Sequence, residues 1–132
     1  MRNHQTSKEV RQRRFDPVPE SVTSARHFVL AAQPVDDDLR PRLATATSEL
    51  VTNAVVHAQT PFVVKVIPGE GRLRVTVVDE SPSPPKATDP PGESKRGRGL
   101  RIVAALVDRW GYEVEDGGKA VWFEIDFSPT PG

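Results

Sequence analysis

Residues 49–58 read ELVTNAVVHA, an apolar run interrupted at every fourth position by Glu49, Asn53 and His57. Side chains four residues apart lie one above another on an α-helix, so these three polar residues are predicted to form a single ridge. Around the helix axis, the ridge lies about 100° from the apolar stripe that would face the core, which is the rotation between two successive residues. That stripe consists of Leu39, Leu43, Ala46, Leu50, Ala54 and Ala58.

The ridge lies at the margin of the buried face, and two interpretations of it are open. Carboxylate and amide oxygens, such as those of Glu49 and Asn53, suit a hard cation, above all Mg²⁺. Polar residues at the edge of a buried face are also common for structural reasons, provided that they find hydrogen-bond partners. The spacing alone does not decide between a ligand site and an ordinary helix boundary.

The composition narrows the class of protein. With 132 residues, the chain is long enough for one domain with a proper core and too short for two. Its 18 Lys and Arg balance 18 Asp and Glu, so no net charge attracts nucleic acid or an anionic membrane. The absence of cysteine excludes disulfides, iron–sulfur clusters and thiol catalysis, and no apolar run approaches the ~20 residues of a membrane helix. We therefore expect a soluble, cytoplasmic protein that binds neither nucleic acid nor membrane directly.

Apolar periodicity and β-branched runs predict three helices and two hairpins. This order indicates an α+β fold, a two-layer α/β sandwich with the helices on one face of a mixed, largely antiparallel sheet. The folded domain is expected over residues 17–128, between tails at 1–16 and 129–132. The predicted helices are 19–33, then about 36–58 with Asp36, Asp37 and Asp38 in the first turn, and 97–111, packed through Leu100, Val103, Ala104 and Val107; the predicted strands are 61–67, 72–79, 111–116 and 119–127, with 8–15 as a further edge strand.

Candidate binding residues surround a long loop. Asp79 ends the second strand on its apolar face, where a carboxylate needs a donor, either an adenine amino group or a local backbone N–H. The proline-rich residues 80–96 form a loop of a length that usually means a functional lid or disorder. Gly97 and Gly99 would let backbone N–H groups approach an anion at the start of the next helix. A plain turn accounts for two glycines equally well.

Together, these motifs resemble the GHKL ATPases. The E-x-x-x-N-A-x-x-H-A helix of residues 49–58 is followed by a strand ending in VVD (77–79), the proline-rich loop, GRGL (97–100) and GGKAVWFEI (117–125). More narrowly, the chain is similar to the small anti-sigma-factor serine/threonine kinases of bacterial partner switching, in their actinobacterial form, over about residues 18–127. The resemblance implies the Bergerat (GHKL) ATPase fold, with ATP and Mg²⁺ as cofactors.

The resemblance also implies roles for individual residues. Glu49 matches the catalytic base that acts on the attacking hydroxyl, Asn53 matches the ligand of the Mg²⁺ on the phosphates, and Asp79 matches the acceptor of the adenine amino group. Residues 80–96 take the place of the ATP lid. The remaining nucleotide-binding positions are a helix-end histidine, the phosphate-contacting start of the next helix and its flanking arginines, namely His57, Arg96, Gly97, Arg98, Gly99 and Leu100.

The implied partners are an anti-anti-sigma (STAS-type) protein, phosphorylated on serine or threonine, and a sigma factor; the family also tends to form homodimers. Two departures favour an alternative, a non-catalytic GHKL-fold binding module that sequesters a regulatory partner. Residues 81–83 (Ser-Pro-Ser) stand where the family commonly has glycines. Ala120 stands where it often has a threonine that joins the hydrogen bonds around the aspartate. Because one lost buried hydrogen bond costs about 1 kcal/mol, we expect ATP binding weaker than is usual for the family.

Overall fold

The computed structural model describes residues 9–83 and 94–127. These residues form five strands and three α-helices, with a short π-helical turn directly after the second helix. The strands are β1 (Arg11–Phe15), β2 (Phe62–Gly69), β3 (Arg72–Asp79), β4 (Arg109–Glu115) and β5 (Gly118–Asp126). The helices are α1 (Glu20–Ala32), α2 (Arg40–Asn53) and α3 (Ser94–Leu106), and the π turn spans Ala54–Ala58.

The strands form one antiparallel sheet in the order β1-β2-β3-β5-β4. β3 lies in the middle, between β2 and β5, and the edge strand expected from the N-terminal sequence is β1. Helix α1 contacts β1 and β2, α2 contacts β3 and β5, and α3 packs against α2. The predicted α+β sandwich is confirmed, with a sheet that is antiparallel throughout the described strands.

Apolar residues at every second position of the strands form one side of the core. Leu73, Val75 and Val77 occupy every second position of β3 and are at most 1% exposed, since successive strand residues point to opposite faces. The apolar stripe predicted for α2 packs against this face of the sheet. Ala58 is the one member of that stripe that is not buried. The helix residues buried against the sheet are Ala25, Val29, Leu39, Leu43, Ala46, Leu50 and Ala54.

The start of α2 differs from the prediction, because the three aspartates precede the helix. The Leu39 N–H lies 3.2 Å from the carbonyl O of Asp36 and 3.3 Å from its Oδ1. Asp36 thus closes the turn that leads into the helix, as capping aspartates do, and the first turn of α2 contains no acidic residue.

Helix α3 is shifted towards the N-terminus relative to the prediction. It ends at Leu106 because Arg109 and Trp110 already pair with Glu124 and Phe123 of β5. Within the helix, the buried line runs through Leu100 and Val103, whereas Ala104 falls beside it and is exposed. Strand pairing with a distant segment therefore overrides the local helical pattern of residues 107–111.

A charged cluster centred on Glu124 ties three strands together on the sheet face away from the helices. Glu124 of β5 accepts hydrogen bonds from Arg74 of β3 at 2.9 Å and from Arg109 of β4 at 2.7 Å. Burial opposes ionisation of Glu124, but the hydrogen bonds from Arg109 and Arg74 hold the pKa of its carboxyl below the ordinary value. The Arg74 guanidinium also lies 4.1 Å from the centre of the Trp122 ring, a cation–π contact.

We predict that Gly118→Ala destabilises the fold by about 1–3 kcal/mol, the usual cost of forcing an atom into a filled site. A Cβ at position 118 would lie 2.2 Å from the carbonyl O of Asp79, so β5 or the end of β3 must move. Urea unfolding of the two proteins measures the difference. The matched control is Gly69→Ala, whose Cβ would make an ordinary 3.5 Å contact with the carbonyl O of Arg72. Equal destabilisation by both substitutions would contradict the steric explanation.

Candidate functional site

Glu49 and Asn53 lie on the last two turns of α2. Both side chains are half-buried, which places them at the margin of the buried face, and four residues of α-helix separate them by about 6 Å along the axis. Partial burial raises the pKa of Glu49, because the charged form loses hydration. A carboxyl with a raised pKa is a better proton acceptor near neutral pH than an ordinary glutamate.

His57 departs from the predicted ridge, because the α-helical geometry stops at Asn53. The Gln59 N–H donates to the carbonyl O of Ala54, five residues back, at 2.9 Å. A π-helical turn holds more residues per revolution, so a residue four places after Asn53 no longer lies directly above it. Gln59 then adopts a left-handed conformation with φ of 57° and ends the helical segment.

Asp79 ends β3 with only 4% of its surface exposed. Its Oδ1 accepts the backbone N–H of Ser81 at 2.9 Å, and its Oδ2 lies 2.9 Å from Nζ of Lys119. The Glu80 N–H donates to Oγ1 of Thr60 at 2.9 Å, which fastens the chain after β3 to the residues that follow the π turn. A local backbone N–H, one of the two donors that the sequence allows for this carboxylate, is present, and a lysine lies beside it.

Lys119, rather than Ala120, is the β5 residue that faces Asp79. The register pairs Asp79 with Lys119 and Val78 with Ala120, and neighbouring strand residues point to opposite faces. The expectation that Ala120 removes a hydrogen bond from the aspartate is therefore wrong, since its side chain lies on the other face of the sheet. The sequence carried the signal, because Lys119 shares the parity of the buried residues of β5, which are Val121, Phe123 and Ile125.

The residues expected at the entrance of the third helix lie inside it, because α3 begins at Ser94. Gly97 and Gly99, with Arg96 and Arg98 next to them in the chain, fall in its first two turns. Leu100 is 3% exposed and belongs to the core, so its side chain packs, and only its backbone remains for a ligand. Of the lid expected at 80–96, residues 84–93 lie outside the described part of the chain.

Contacts between elements bring several of these positions to the same end of the sandwich. The π turn that follows Asn53 contacts β3, the strand that Asp79 ends, and α3 packs along α2. The candidate base, the candidate metal ligand and the buried aspartate therefore belong to neighbouring elements. None of the helices in residues 9–83 and 94–127 has the length and apolar character needed to cross a membrane.

The side-chain oxygens at this end of the sandwich fit a metal ion that binds together with the phosphates of a nucleotide. Among the described side chains, no group of three or more His, Cys, Asp or Glu residues could hold a metal ion. Mg²⁺ does not need such a group, since it usually binds one or two protein oxygens, several waters and the phosphates of a nucleotide. The half-buried oxygens of Asn53 and Glu49 are compatible with that mode of binding.

We predict that Glu49→Gln raises the melting temperature at pH 7 and that this gain shrinks as the pH falls towards 4. The raised pKa means that the folded state favours the protonated carboxyl, so the wild-type protein loses stability as the pH rises from about 4.3, the unfolded value, through the folded pKa. Glutamine does not titrate. Thermal melts across this range, with the exposed Glu113→Gln as control, measure the effect, and a gain independent of pH would contradict it.

Comparisons with known proteins agree with this architecture. The profile of the histidine kinase-like ATPase domain matches residues 15–125. A crystal structure of the RsbU and RsbW domains of Rv1364c from Mycobacterium tuberculosis is similar, with a TM-score of 0.67, 20% identity, and 92% of this chain and 33% of that chain covered. The histidine kinase domain of the blue-light activated histidine kinase EL346 from Erythrobacter litoralis is similar with a TM-score of 0.57, 23% identity, and 82% and 58% covered.

The chain thus spans a third of the first of these structures and somewhat more than half of the second. No curated protein sequence matches it. The family profile covers most of the chain, and the structural similarity, which is a separate comparison, agrees with it. The chain belongs to the histidine kinase-like ATPase domain family, the GHKL ATPases.

Proposed function

We propose that the chain is an ATP-dependent protein serine/threonine kinase of the partner-switching type, which phosphorylates a small anti-anti-sigma protein and also binds a sigma factor. The observation that carries the proposal is the pairing of Glu49 with Asn53 at the end of α2. Glu49 is half-buried with a raised pKa, and an amide oxygen lies one helical turn away. A module that only binds its partner has no need for a base at this position.

Phosphoryl transfer needs little covalent chemistry from a protein, but it needs positioning, neutralisation of charge and a base for the nucleophile. Asn53 would contribute an oxygen to Mg²⁺, which supplies the positive charge on the phosphates when bound. Glu49, one turn back along α2, would accept the proton of the attacking serine or threonine hydroxyl. Gly97 and Gly99 have no side chains, so they would leave room for the phosphates beside the first two turns of α3, where the positive end of the helix dipole favours an anion.

Asp79 would serve as the acceptor for the nucleobase. Among the residues that the structure describes, Ser81 donates one hydrogen bond to its two oxygens and Lys119 makes one contact with them, and an ionised carboxylate has about four lone-pair sites. Acceptor capacity therefore remains for an amino group of a base. Membership of the GHKL ATPases supports nucleotide binding, and the fold likeness to a protein with an RsbW domain is in line with a partner-switching role.

A second candidate function is a non-catalytic binding module that sequesters a regulatory partner. The contact between Asp79 and Lys119 favours it, because the carboxylate is already paired before any ligand arrives. The Ser-Pro-Ser segment at 81–83, where the family commonly has glycines, points the same way. The two functions differ in one measurable property, Mg²⁺-dependent binding of ATP.

We predict that calorimetric titration of the wild-type chain with ATP shows Mg²⁺-dependent binding and that Asn53→Ala abolishes this dependence. Asn53 is half-buried at the edge of the core, so its truncation should remove a metal ligand with little loss of packing. The matched control is Thr52→Ala, an exposed neighbour on the same helix, which should bind as the wild type does. An unchanged Mg·ATP affinity in Asn53→Ala would refute the metal role, and no wild-type binding up to millimolar ATP would favour the binding module.

We predict that Glu49→Gln retains ATP but transfers its γ-phosphate to an anti-anti-sigma protein of the same organism at least about 100-fold more slowly. Loss of a general base typically costs 10²–10⁴-fold in rate, whereas the isosteric amide leaves the helix surface unchanged. Single-turnover transfer of radiolabelled phosphate measures the rate, and calorimetry measures ATP affinity for the same variant. Transfer at the wild-type rate would show that Glu49 is not the base.

A further inference from the structure

The two edge strands of the sheet, β1 and β4, are open to another chain. Among the described strands, β1 pairs only with β2, and β4 pairs only with β5. The backbone N–H and C=O groups on the outer side of each edge strand therefore have no strand partner, and such groups are a template for pairing with a further strand. Residues 11–14 of β1 and 112–115 of β4 are exposed, so both edges are accessible along most of their length.

Strand β1 carries positive charge. We call its exposed arginines the basic edge, which consists of Arg11, Arg13 and Arg14. Within the described part of the chain, only Arg14 has an ion-pair partner, Glu80, at 3.5 Å and with both side chains more than half exposed. Arg11 and Arg13 pair in register with buried valines of β2 and so lie on the helix side of the sheet. The nearest acidic residues along the chain, Glu9 and Asp16, lie beyond the ends of the strand.

Strand β4 carries negative charge together with exposed apolar side chains. We call its carboxylates the acidic edge, which consists of Glu113, Glu115 and, in the turn that follows, Asp116. None of them has an ion-pair partner among the described residues, whereas Arg109, at the start of β4, is bound by carboxylates of β5. The pairing with β5 places Glu113 and Glu115 on the sheet face away from the helices. On the helix side, Tyr112 and Val114 are 44% and 51% exposed.

These charges work against pairing of either edge with the same edge of another copy. Two β1 strands would bring arginines together, two β4 strands would bring glutamates together, and like charges directly opposite each other destabilise a strand pair. Charged side chains are a usual protection of edge strands. The protection does not extend to pairing of β1 with β4, because the two edges carry opposite signs.

We propose that the acidic edge of one copy of this chain pairs with the basic edge of a second copy, so that the sheet continues from one molecule to the next. Within the sheet, β1 and β4 run in the same direction, since four antiparallel steps separate them. A second copy turned over about the axis that crosses the strands therefore presents its β1 antiparallel to β4.

This arrangement matches the side chains as well as the backbones. Turning the second copy over moves its helix side to the face of the first copy that lies away from the helices. Arg11 and Arg13 of the second copy then share a face with Glu113 and Glu115, and opposite charges across an antiparallel pair stabilise it. The same contact places side chains of the second copy beside Tyr112, whose exposed ring it covers.

The interface joins two different surfaces, so it differs from that of a symmetric dimer. Each copy that pairs through β4 keeps its own β1 free, and a head-to-tail contact of this kind continues unless its rotation closes a ring. Association should therefore grow with protein concentration beyond two copies. It should also weaken in salt, because exposed charges are screened. The inference does not depend on the proposed kinase function.

The first test is sedimentation equilibrium of the full wild-type chain from about 10 μM to 1 mM, in about 0.01 M and 1 M salt, between which the Debye length falls from about 30 Å to about 3 Å. At low salt, the weight-average mass is expected to rise with concentration past that of a dimer, and at high salt to return towards that of the monomer. A monomer under all conditions, or a mass that stops at the dimer, would overturn the inference. This measurement needs no variant to fold.

The second test reverses the charge of one edge at a time. The β1 variant carries Arg11→Glu and Arg13→Glu, and the β4 variant carries Glu113→Arg and Glu115→Arg. Each variant has like charges on both edges, so each should associate at least about tenfold more weakly than the wild type at low salt. An equimolar mixture of the two should associate again, because every edge then finds one of opposite sign.

The matched control carries Arg40→Glu and Arg101→Glu, which change the net charge as much as the β1 variant does but at exposed helix positions. It should associate as the wild type does. Circular dichroism establishes that each variant is folded. Wild-type association by either folded edge variant alone, or a mixture no more associated than its components, would show that the two edges do not pair.

Discussion

The buried contact between Asp79 and Lys119 is the interaction on which the candidate site depends most. It joins the end of the central strand β3 to the start of β5, where both groups have lost almost all contact with water. Loss of either partner would leave a buried charge unpaired, which typically costs about 3–5 kcal/mol. Gly118 gives the two strands room to approach, and the Thr60–Glu80 hydrogen bond holds the chain beyond β3. Any ligand at this end must accommodate the pair as it stands.

A change of helical geometry separates the two halves of the site. Glu49 and Asn53 keep the rigid spacing of an α-helix, while the chain beyond Asn53 widens into the π turn that contacts β3. Single π turns are frequent at functional sites, and here the turn connects the proposed base and metal ligand to the strand that ends in Asp79. The Glu124 cluster braces β3, β4 and β5 from the other face of the sheet. The site is thus built on regular elements, with its polar groups where those elements end.

The sequence predicted the parts of the fold that local periodicity controls, and failed where distant contacts decide. The stripes through Leu43 and Leu50 in α2 and through Val75 in β3 are buried as predicted, because packing rewards the same period that the residues display. Helix α3 stops early since β4 begins by pairing with β5, a contact that residues 107–111 do not reveal by themselves. The family motif points to Ala120 and not to Lys119, although strand alternation places Lys119 on the core face opposite Asp79.

The most direct test of the central claim is a two-dimensional NMR titration of the isotopically labelled chain with Mg·ATP, read residue by residue. We expect the amide signals of residues 49–59, 79–81, 97–100 and 118–119 to shift together and saturably, since these segments form one end of the sandwich. Signals of residues 69–72, in the β2–β3 hairpin at the opposite end of the sheet, should remain unchanged. No shifts up to millimolar Mg·ATP, or shifts confined to other segments, would contradict a nucleotide site at this end of the fold.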